Sequence, residues 1–109
     1  RHAHATQLSF GVLKRLEIAR ALAANPRLLL LDEPAAGLND SETHAVGELI
    51  RKIATGGTTV LLVEHDMKMV MAISDHIVVM DQGKKLAEGT AQEVRANPAV
   101  VAAYLGVDA

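Results

Sequence analysis

Residues 28–33 read Leu-Leu-Leu-Leu-Asp-Glu, and the interpretation of the whole chain starts from this stretch. Four consecutive apolar residues predict a strand of a parallel sheet, because such strands are buried on both faces. Two adjacent carboxylates at the end of a buried strand are costly unless they face a metal ion, a partner or a cleft. Asp32 and Glu33 are therefore the first candidates for a functional site, with a pair of capping or surface acids as the alternative.

A second apolar run, residues 58–63 (Thr-Thr-Val-Leu-Leu-Val), predicts a central strand, and His65 follows it. If the two strands are neighbours, His65 opens into the same cleft as Asp32 and Glu33, since α/β folds bind ligands at the carboxyl ends of their strands. Asp32 is suited to hold Mg²⁺ through a water molecule, because this ion keeps much of its hydration shell, and Glu33 is suited to act as general base on an attacking water. A satisfied structural histidine is the alternative for His65.

The composition bounds the class of protein. The 109 residues are 50% hydrophobic with a net charge of −2, which predicts one small globular domain and no basic field for nucleic acid. Aromatic residues make up 2%, too few for a base-stacking platform. The chain has no cysteine, which excludes a disulfide framework and suits a reducing cytoplasm. No apolar run approaches the ~20 residues that span a bilayer, so a membrane role would require a partner.

The remaining patterns predict an α/β fold. Ser9 is expected to cap a helix that runs to about residue 24, and Asn39 with Glu42 a helix that ends at residues 56–57. The core-facing stripes of these two helices are predicted to be Val12, Leu16, Ala19 and Ala23 in the first, and Val46, Leu49, Ile50 and Ile53 in the second.

The rest of the chain is predicted as a short helix, a hairpin and two helices. The helix covers residues 67–73, and the hairpin strands run from 77 to 80 and back to about 89 around a turn at Gly83. Thr90 and Asn97 are expected to open the last two helices, the second ending near residue 106. Strand–helix–strand order favours mainly parallel pairing of the strands, and the tight turn at Gly83 favours an antiparallel hairpin at one edge.

Ser9 and Gly11 lie at the N-terminus of the first predicted helix. A hydroxyl, free backbone N–H groups and the helix dipole together favour an anion at such a site, although Ser-x-Gly alone is more typical of an ordinary serine cap. The pattern Gly-x-x-x-x-Gly-Lys-Ser/Thr, which would form a phosphate-binding loop, does not occur in the 109 residues.

Three of these segments, in this order, resemble the signature loop, Walker B strand and switch histidine of ATP-binding cassette (ABC) ATPases. They are residues 8–12 (Leu-Ser-Phe-Gly-Val), residues 28–33, and residues 63–66 (Val-Glu-His-Asp). Residues 14–22 are similar to the segment that follows the family's signature loop. That loop usually reads Leu-Ser-Gly-Gly-Gln, so Phe10 replaces the first glycine and Val12 the glutamine.

The resemblance implies a role for each candidate. Ser9 and Gly11 would contact the γ-phosphate of an ATP bound by the other subunit, and Asp32 would hold Mg²⁺. Glu33 would be the catalytic base, and His65 would bind the γ-phosphate and the attacking water. Asn39 stands where the family's D-loop commonly has aspartate; a plain turn and helix cap is an equally good and compatible interpretation.

The finer resemblance is to the ATPase subunits of branched-chain amino-acid importers. It extends through residues 15–22, 32–39 and 63–67 to the tail at residues 97–106, which many other cassettes lack. It implies two such subunits that close head to tail around ATP and Mg²⁺ beneath paired membrane permeases, at the inner face of the cell membrane. A separate binding protein would recognise the transported substrate.

The absence of a phosphate-binding loop indicates that these residues correspond to the C-terminal part of a longer P-loop ATPase, and that alone they are inactive. Residues 1–25 would end its helical subdomain, 26–89 would complete its α/β core, and 90–109 would form a helical extension. A non-transport ABC ATPase, or a fragment that binds no nucleotide, are the alternatives.

Overall fold

The computed structural model describes residues 9–105, without the side chain of residue 105, and the chain divides into two compact units. The first unit ends at His65 and the second begins at Asp66. In the first, the elements are α1 (Phe10–Leu22), β1 (Leu28–Asp32), α2 (Asp40–Thr55) and β2 (Thr59–Val63). In the second, they are α3 (Met67–Ile73), β3 (Ile77–Asp81), β4 (Lys84–Gly89), α4 (Ala91–Arg95), α5 (Pro98–Val100) and a π-helical segment (Val101–Leu105). The proposed boundaries at residues 25/26 and 89/90 stay predictions.

β1 and β2 pair in parallel, as the strand–helix–strand order predicts. The register aligns Leu28 with Thr59 at one end and Asp32 with Val63 at the other. Because both strands end at the same level, the residues that follow them begin side by side. This register fixes the position of every site residue that comes after a strand.

The helices α1 and α2 pack against each other, and α2 packs against β2. In α2 the predicted stripe is confirmed: Val46, Ile50 and Ile53 are buried and Leu49 is half-buried. In α1 the predicted stripe is wrong at three of its four positions: Val12 is half-buried, but Leu16, Ala19 and Ala23 are exposed, whereas Gly11 and Ile18 are buried. A search for a stripe of apolar side chains overlooks glycine, which has no side chain, yet Gly11 is what lets α1 approach α2 closely.

The β1–β2 pair is covered on one face only, whereas the sequence predicts cover on both. Leu29 is buried, but the alternate side chains are half or more exposed: Leu28 58%, Leu30 63%, Leu61 53% and Val63 51%. Within residues 9–65, α2 packs against β2 while these four apolar side chains stay half or more exposed, so no layer of this unit covers them. We refer to these four residues as the open face.

The second unit is built on an antiparallel hairpin, as predicted. β3 and β4 are joined at Gln82 and Gly83, which have φ of 51° and 78°, the left-handed conformation that a two-residue hairpin turn requires. The inward residues Ile77 and Val79 form a core with Val94 and Val100 from the two helices that follow. The predicted α/β fold with parallel strands, a hairpin and a helical tail is confirmed, but the hairpin forms a two-stranded sheet of its own rather than an edge of the parallel sheet.

The C-terminal helices begin at the predicted caps. Thr90 and Glu93 form a reciprocal capping box, and the Asn97 side chain accepts the N–H of Ala99 at 2.8 Å. The Tyr104 hydroxyl donates to the Met80 carbonyl oxygen and ties the π-helical segment to the hairpin. The predicted end of this helix at residue 106 lies outside the described residues. None of the helices among residues 9–105 is long and apolar enough to cross a membrane.

A three-residue charge cluster on the hairpin predicts acid sensitivity of the second unit. Lys85 Nζ and His76 Nε2 each lie 2.8 Å from a Glu88 oxygen, and the hydrogen bond from Lys85, followed by that from His76, lowers the pKa of Glu88 from 4.5 to about 2. A carboxylate whose pKa falls on folding stabilises the fold above its unfolded pKa, and this contribution is lost as the pH falls through the folded pKa. Stability from Glu88 should therefore be complete above about pH 4.5 and disappear towards pH 2.

Urea unfolding of the chain and its Glu88→Gln variant between pH 6 and pH 2 measures this contribution. All three side chains are exposed, so the effect should be small and should shrink at high salt. Glu17→Gln removes a comparable exposed glutamate from the first unit and serves as the control. Equal pH dependence in the wild type and in Glu88→Gln would contradict the assignment.

Candidate active site

The two predicted catalytic residues, Glu33 and His65, meet just beyond the ends of β1 and β2. The N–H of Glu33 donates to the Val63 carbonyl oxygen at 2.7 Å, which extends the parallel pairing by one residue. Beyond it, His65 Nε2 lies 3.4 Å from Glu33 Oε1, with side chains 74% and 50% exposed, respectively. The structure thus brings together an acid and an imidazole that are both accessible to a ligand.

Glu33 has a backbone conformation that is uncommon for its residue type. Its φ is 50°, in the left-handed region, where a non-glycine residue costs about 1–3 kcal/mol unless its surroundings compensate. The chain then turns twice, through hydrogen bonds from Ala36 N–H to the Glu33 carbonyl and from Leu38 N–H to the Ala35 carbonyl. Pro34, which stands between Glu33 and Ala35, is fully buried. The conformation of Glu33 is therefore held by a loop with two hydrogen-bonded turns and a buried proline.

Asp32 is the last residue of β1 and is exposed. Among residues 9–105 no group of three or more His, Cys, Asp or Glu side chains is arranged to hold a metal ion. One carboxylate at a strand end nevertheless fits Mg²⁺, because this ion is usually bound by one or two carboxylates together with substrate phosphates and water. The assignment of Mg²⁺ to Asp32 stays a prediction.

Glu64, to which the sequence assigned no role, lies between the two strand ends. Its Oε2 accepts the N–H of Ala35 at 3.0 Å and its Oε1 accepts the N–H of His65 at 2.9 Å. The alternation of side chains along β2 could have indicated this position: Glu64 follows Val60 and Leu62 at intervals of two, so it lies on the same half-buried face. A carboxylate that continues a covered face needs hydrogen-bond partners.

Ser9 and Gly11 lie at the N-terminus of α1, as predicted. The Ser9 side chain caps the helix by accepting the N–H of Val12 at 3.1 Å. Gly11 is buried against α2, and a Cβ atom at this position would lie 2.9 Å from Glu42 Cγ and 3.0 Å from Glu42 Cβ. Gly11 is thus required by packing in this structure, whether or not its N–H also binds a phosphate.

Asn39 and Glu42 form the predicted capping box at the N-terminus of α2. Asn39 Oδ1 accepts the N–H of Glu42 at 2.8 Å, and Glu42 Oε1 accepts the N–H of Asn39 at 3.0 Å. The hydrogen bond from Asn39 N–H holds the pKa of Glu42 below its usual value, against desolvation, and hydrogen bonds from Ser9 and Gly11 add to the effect. The Glu42 carboxylate therefore accepts hydrogen bonds at the N-termini of both α1 and α2.

The loop after β1 also reaches the N-terminus of α1. Gly37 has φ of 80°, and a Cβ atom at this position would lie 3.9 Å from Cδ2 of Phe10, the residue that stands in place of a glycine in the family's signature loop. The segment that resembles the D-loop therefore lies beside the segment that resembles the signature loop within one chain.

Comparison with known proteins gives matches along the chain. The family described as "ABC transporter" matches residues 1–36, and the family described as "Branched-chain amino acid ATP-binding cassette transporter" matches residues 84–109. A crystal structure of the ADP conformation of an ATP-binding cassette from an ABC transporter superposes with a TM-score of 0.79 at 36% identity, over 91% of this chain and 41% of the other.

Curated relatives agree with these matches. The chain is 57% identical over 100 residues to the high-affinity branched-chain amino acid transport ATP-binding protein BraF of Pseudomonas aeruginosa, covering 91% of this chain and 39% of BraF. It is 53% identical over 103 residues to LivG of Escherichia coli K12, a protein with the same description, covering 94% of this chain and 40% of LivG. The chain thus spans about two fifths of the length of these relatives.

The fold and the comparisons together relate this chain to ATP-binding cassettes. The chain belongs to the ABC transporter family. Within that family, BraF and LivG are ATP-binding proteins of branched-chain amino acid transport, the branch that the tail at residues 97–106 predicts.

The packing of Gly11 predicts that Gly11→Ala destabilises the first unit. In an unconstrained helix this change would stabilise by roughly 0.5–1 kcal/mol, because alanine is the better helix former. Here the added methyl group meets Glu42, and overpacking of this kind costs about 1–3 kcal/mol. The expected sign is thus opposite to the helix propensity, and urea unfolding determines it.

The double variant Gly11→Ala/Glu42→Ala supplies the control. Truncation of Glu42 removes Cγ and Cδ from the contact, so Gly11→Ala should cost less in that background than in the wild type. A Gly11→Ala variant that is more stable than the wild type would contradict the packing assignment.

Proposed function

We propose that this chain is the C-terminal part of the ATP-hydrolysing subunit of an ABC importer, and that the importer carries branched-chain amino acids. The observation that carries the proposal is the approach of Glu33 and His65, 3.4 Å apart, at the ends of two neighbouring parallel strands. The substrate class is supported by the names of the relatives and by the match of the tail.

In the proposed reaction a water molecule attacks the γ-phosphorus of ATP and ADP leaves with the bridging oxygen. Glu33 accepts the proton of that water, which its exposed carboxylate is placed to do. His65 holds the water and a γ-phosphate oxygen in line by hydrogen bonds. Asp32 would hold Mg²⁺, which when bound neutralises charge on the phosphates.

The proposed active form is a head-to-tail dimer of two such subunits. Ser9 and Gly11 of one subunit would contact the γ-phosphate of the ATP whose water is activated by Glu33 of the other. Asn39 would link the two sites, because its loop lies beside the N-terminus of α1, where a Cβ atom at Gly37 would come within 3.9 Å of Phe10 Cδ2. The open face is where we expect the rest of an intact cassette to pack, since parallel sheets are covered on both faces.

The further partners of the proposed subunit follow from its class. They are the membrane permease subunits, beneath which the dimer would work at the inner face of the cell membrane, and a separate substrate-binding protein. Nucleic acid is not among the expected partners, because the chain is nearly neutral with both charges interspersed.

An intact cassette is needed to test these roles. In what we call the cassette chimera, this chain replaces the segment that it matches in BraF of Pseudomonas aeruginosa, with which it shares 57% identity. The unmutated chimera is the reference for every variant.

Glu33→Gln in the cassette chimera should bind ATP about as well as the reference but hydrolyse it about 10²–10⁴ times more slowly. The amide keeps the shape of the carboxylate but accepts no proton, and general bases contribute rate factors of this size. Phosphate release under saturating ATP measures turnover, and equilibrium binding of a labelled nucleotide measures affinity.

Glu48→Gln is the matched control, because Glu48 is an exposed glutamate on α2 that pairs only locally with His44 among the contacts described. Its turnover should equal that of the reference. Turnover near the reference in Glu33→Gln would reject Glu33 as the base and with it the proposed reaction at this site.

Ser9→Arg tests the assignment of Ser9 to the other subunit's ATP, since the bulk of arginine blocks close approach of the α1 N-terminus to a phosphate. In a covalently linked dimer, Ser9→Arg on one subunit and Glu33→Gln on the other damage the same composite site and leave the second site intact. That dimer should keep about half of the reference turnover, measured by phosphate release.

With both changes on one subunit, each composite site carries one lesion and turnover should fall to the level of the Glu33→Gln homodimer. The opposite ranking of the two linked dimers would place Ser9 and Glu33 of the same chain at one site. A Ser9→Arg homodimer with reference turnover would reject any role of Ser9 at the phosphate.

A further inference from the structure

Glu64 makes the link between the two loops that carry the proposed catalytic residues. Its carboxylate accepts two backbone N–H groups, from Ala35 in the loop after β1 at 3.0 Å and from His65 after β2 at 2.9 Å. Ala35 and Glu64 are 29 positions apart in the chain, so this is a tertiary contact. The Glu64 side chain is half-buried; its hydrogen bond to Ala35 is partly shielded from water, whereas that to His65 is exposed.

One of the two residues bonded by Glu64 lies close to a proposed catalytic residue in the chain, and the other is a proposed catalytic residue itself. Ala35 follows Glu33 by two positions, across the buried Pro34, and His65 is bonded through its own backbone N–H. On the strand side, the N–H of Glu33 is held by the Val63 carbonyl oxygen at 2.7 Å. The 3.4 Å approach of Glu33 and His65 is thus flanked by fixed backbone on both strands.

We propose that Glu64 is a positioning residue, which holds the loop of Glu33 and the backbone of His65 at the separation that ATP hydrolysis requires. This inference rests on the proposed function of Glu33 and His65. A carboxylate suits the role because it offers an acceptor oxygen to each N–H, and charge-assisted hydrogen bonds are shorter and stronger than neutral ones.

The chemistry of the side chain predicts a graded series of variants. Glutamine at position 64 keeps one acceptor oxygen and can retain one of the two hydrogen bonds, whereas alanine keeps neither. In the cassette chimera, Glu64→Ala should lower kcat about 10–100-fold, the loss that a displacement of about 1 Å produces at a reacting centre. Glu64→Gln should fall between Glu64→Ala and the reference. KM for ATP should change little in both, because neither hydrogen bond is made to the nucleotide.

A double variant separates positioning from a general loss of stability. If Glu64 acts through the Glu33 pair, Glu64→Ala/Glu33→Gln should turn over no more slowly than Glu33→Gln alone, whereas independent defects would multiply. Glu48→Ala, an exposed truncation on α2, controls for loss of a glutamate and should leave kcat unchanged.

Amide hydrogen exchange in the 109-residue chain provides a readout independent of catalysis. Glu64→Ala should accelerate exchange at the N–H groups of Ala35 and His65 and leave that of Glu42, in the capping box of α2, unchanged. Unchanged exchange at Ala35 and His65 would overturn the proposed link.

The outcomes distinguish this inference from the function on which it rests. Slow turnover of Glu33→Gln together with reference kcat in Glu64→Ala would overturn the positioning role alone. Reference turnover in Glu33→Gln would overturn the proposed function first. Multiplied defects in the double variant, or a rise in KM that accounts for the whole loss of Glu64→Ala, would also reject positioning.

Discussion

The parallel register of β1 and β2 is the constraint on which the rest of the site depends. Asp32 is aligned with Val63, so Glu33 and His65 leave the sheet within one residue of the same level. A shift of one residue would turn every side chain of one strand to the opposite face and separate the two groups. The buried Leu29 on β1 and the core of α2 hold this register from one side, at a distance from the reacting groups.

Much of this arrangement could be predicted from the sequence, because the informative signals are local. The apolar runs predict β1 and β2, and the pairs Asn39 with Glu42 and Thr90 with Glu93 predict caps that the structure confirms. The buried face of α1 could not be predicted in this way, since Gly11 defines it by lacking a side chain. The open face could not either, because whether a strand is covered depends on layers that local composition does not describe.

The role of Glu64 illustrates a different limit of sequence reasoning. Its hydrogen bond to Ala35 joins positions 29 apart, and no local pattern connects a residue with a specific backbone N–H in another loop. The alternation of side chains along β2 shows only that the Glu64 carboxylate continues the half-buried face and therefore needs hydrogen-bond donors. Which donors it finds depends on the left-handed turn at Glu33, where the sequence contains no glycine to mark it.

Stability and chemistry draw on different parts of the first unit. The buried side chains of the first unit belong largely to the helices: Ile18 to α1, and Val46 and Ile50 to α2. The proposed catalytic residues Glu33 and His65 lie beyond the strand ends and are half or more exposed. Substitutions at the exposed groups remove little buried surface, so their cost to folding should be small. Gly11, where α1 meets Glu42, is the exception: packing and the proposed phosphate contact fall on one residue. A loss of turnover there has two physical causes, whereas a loss at Glu33 has one.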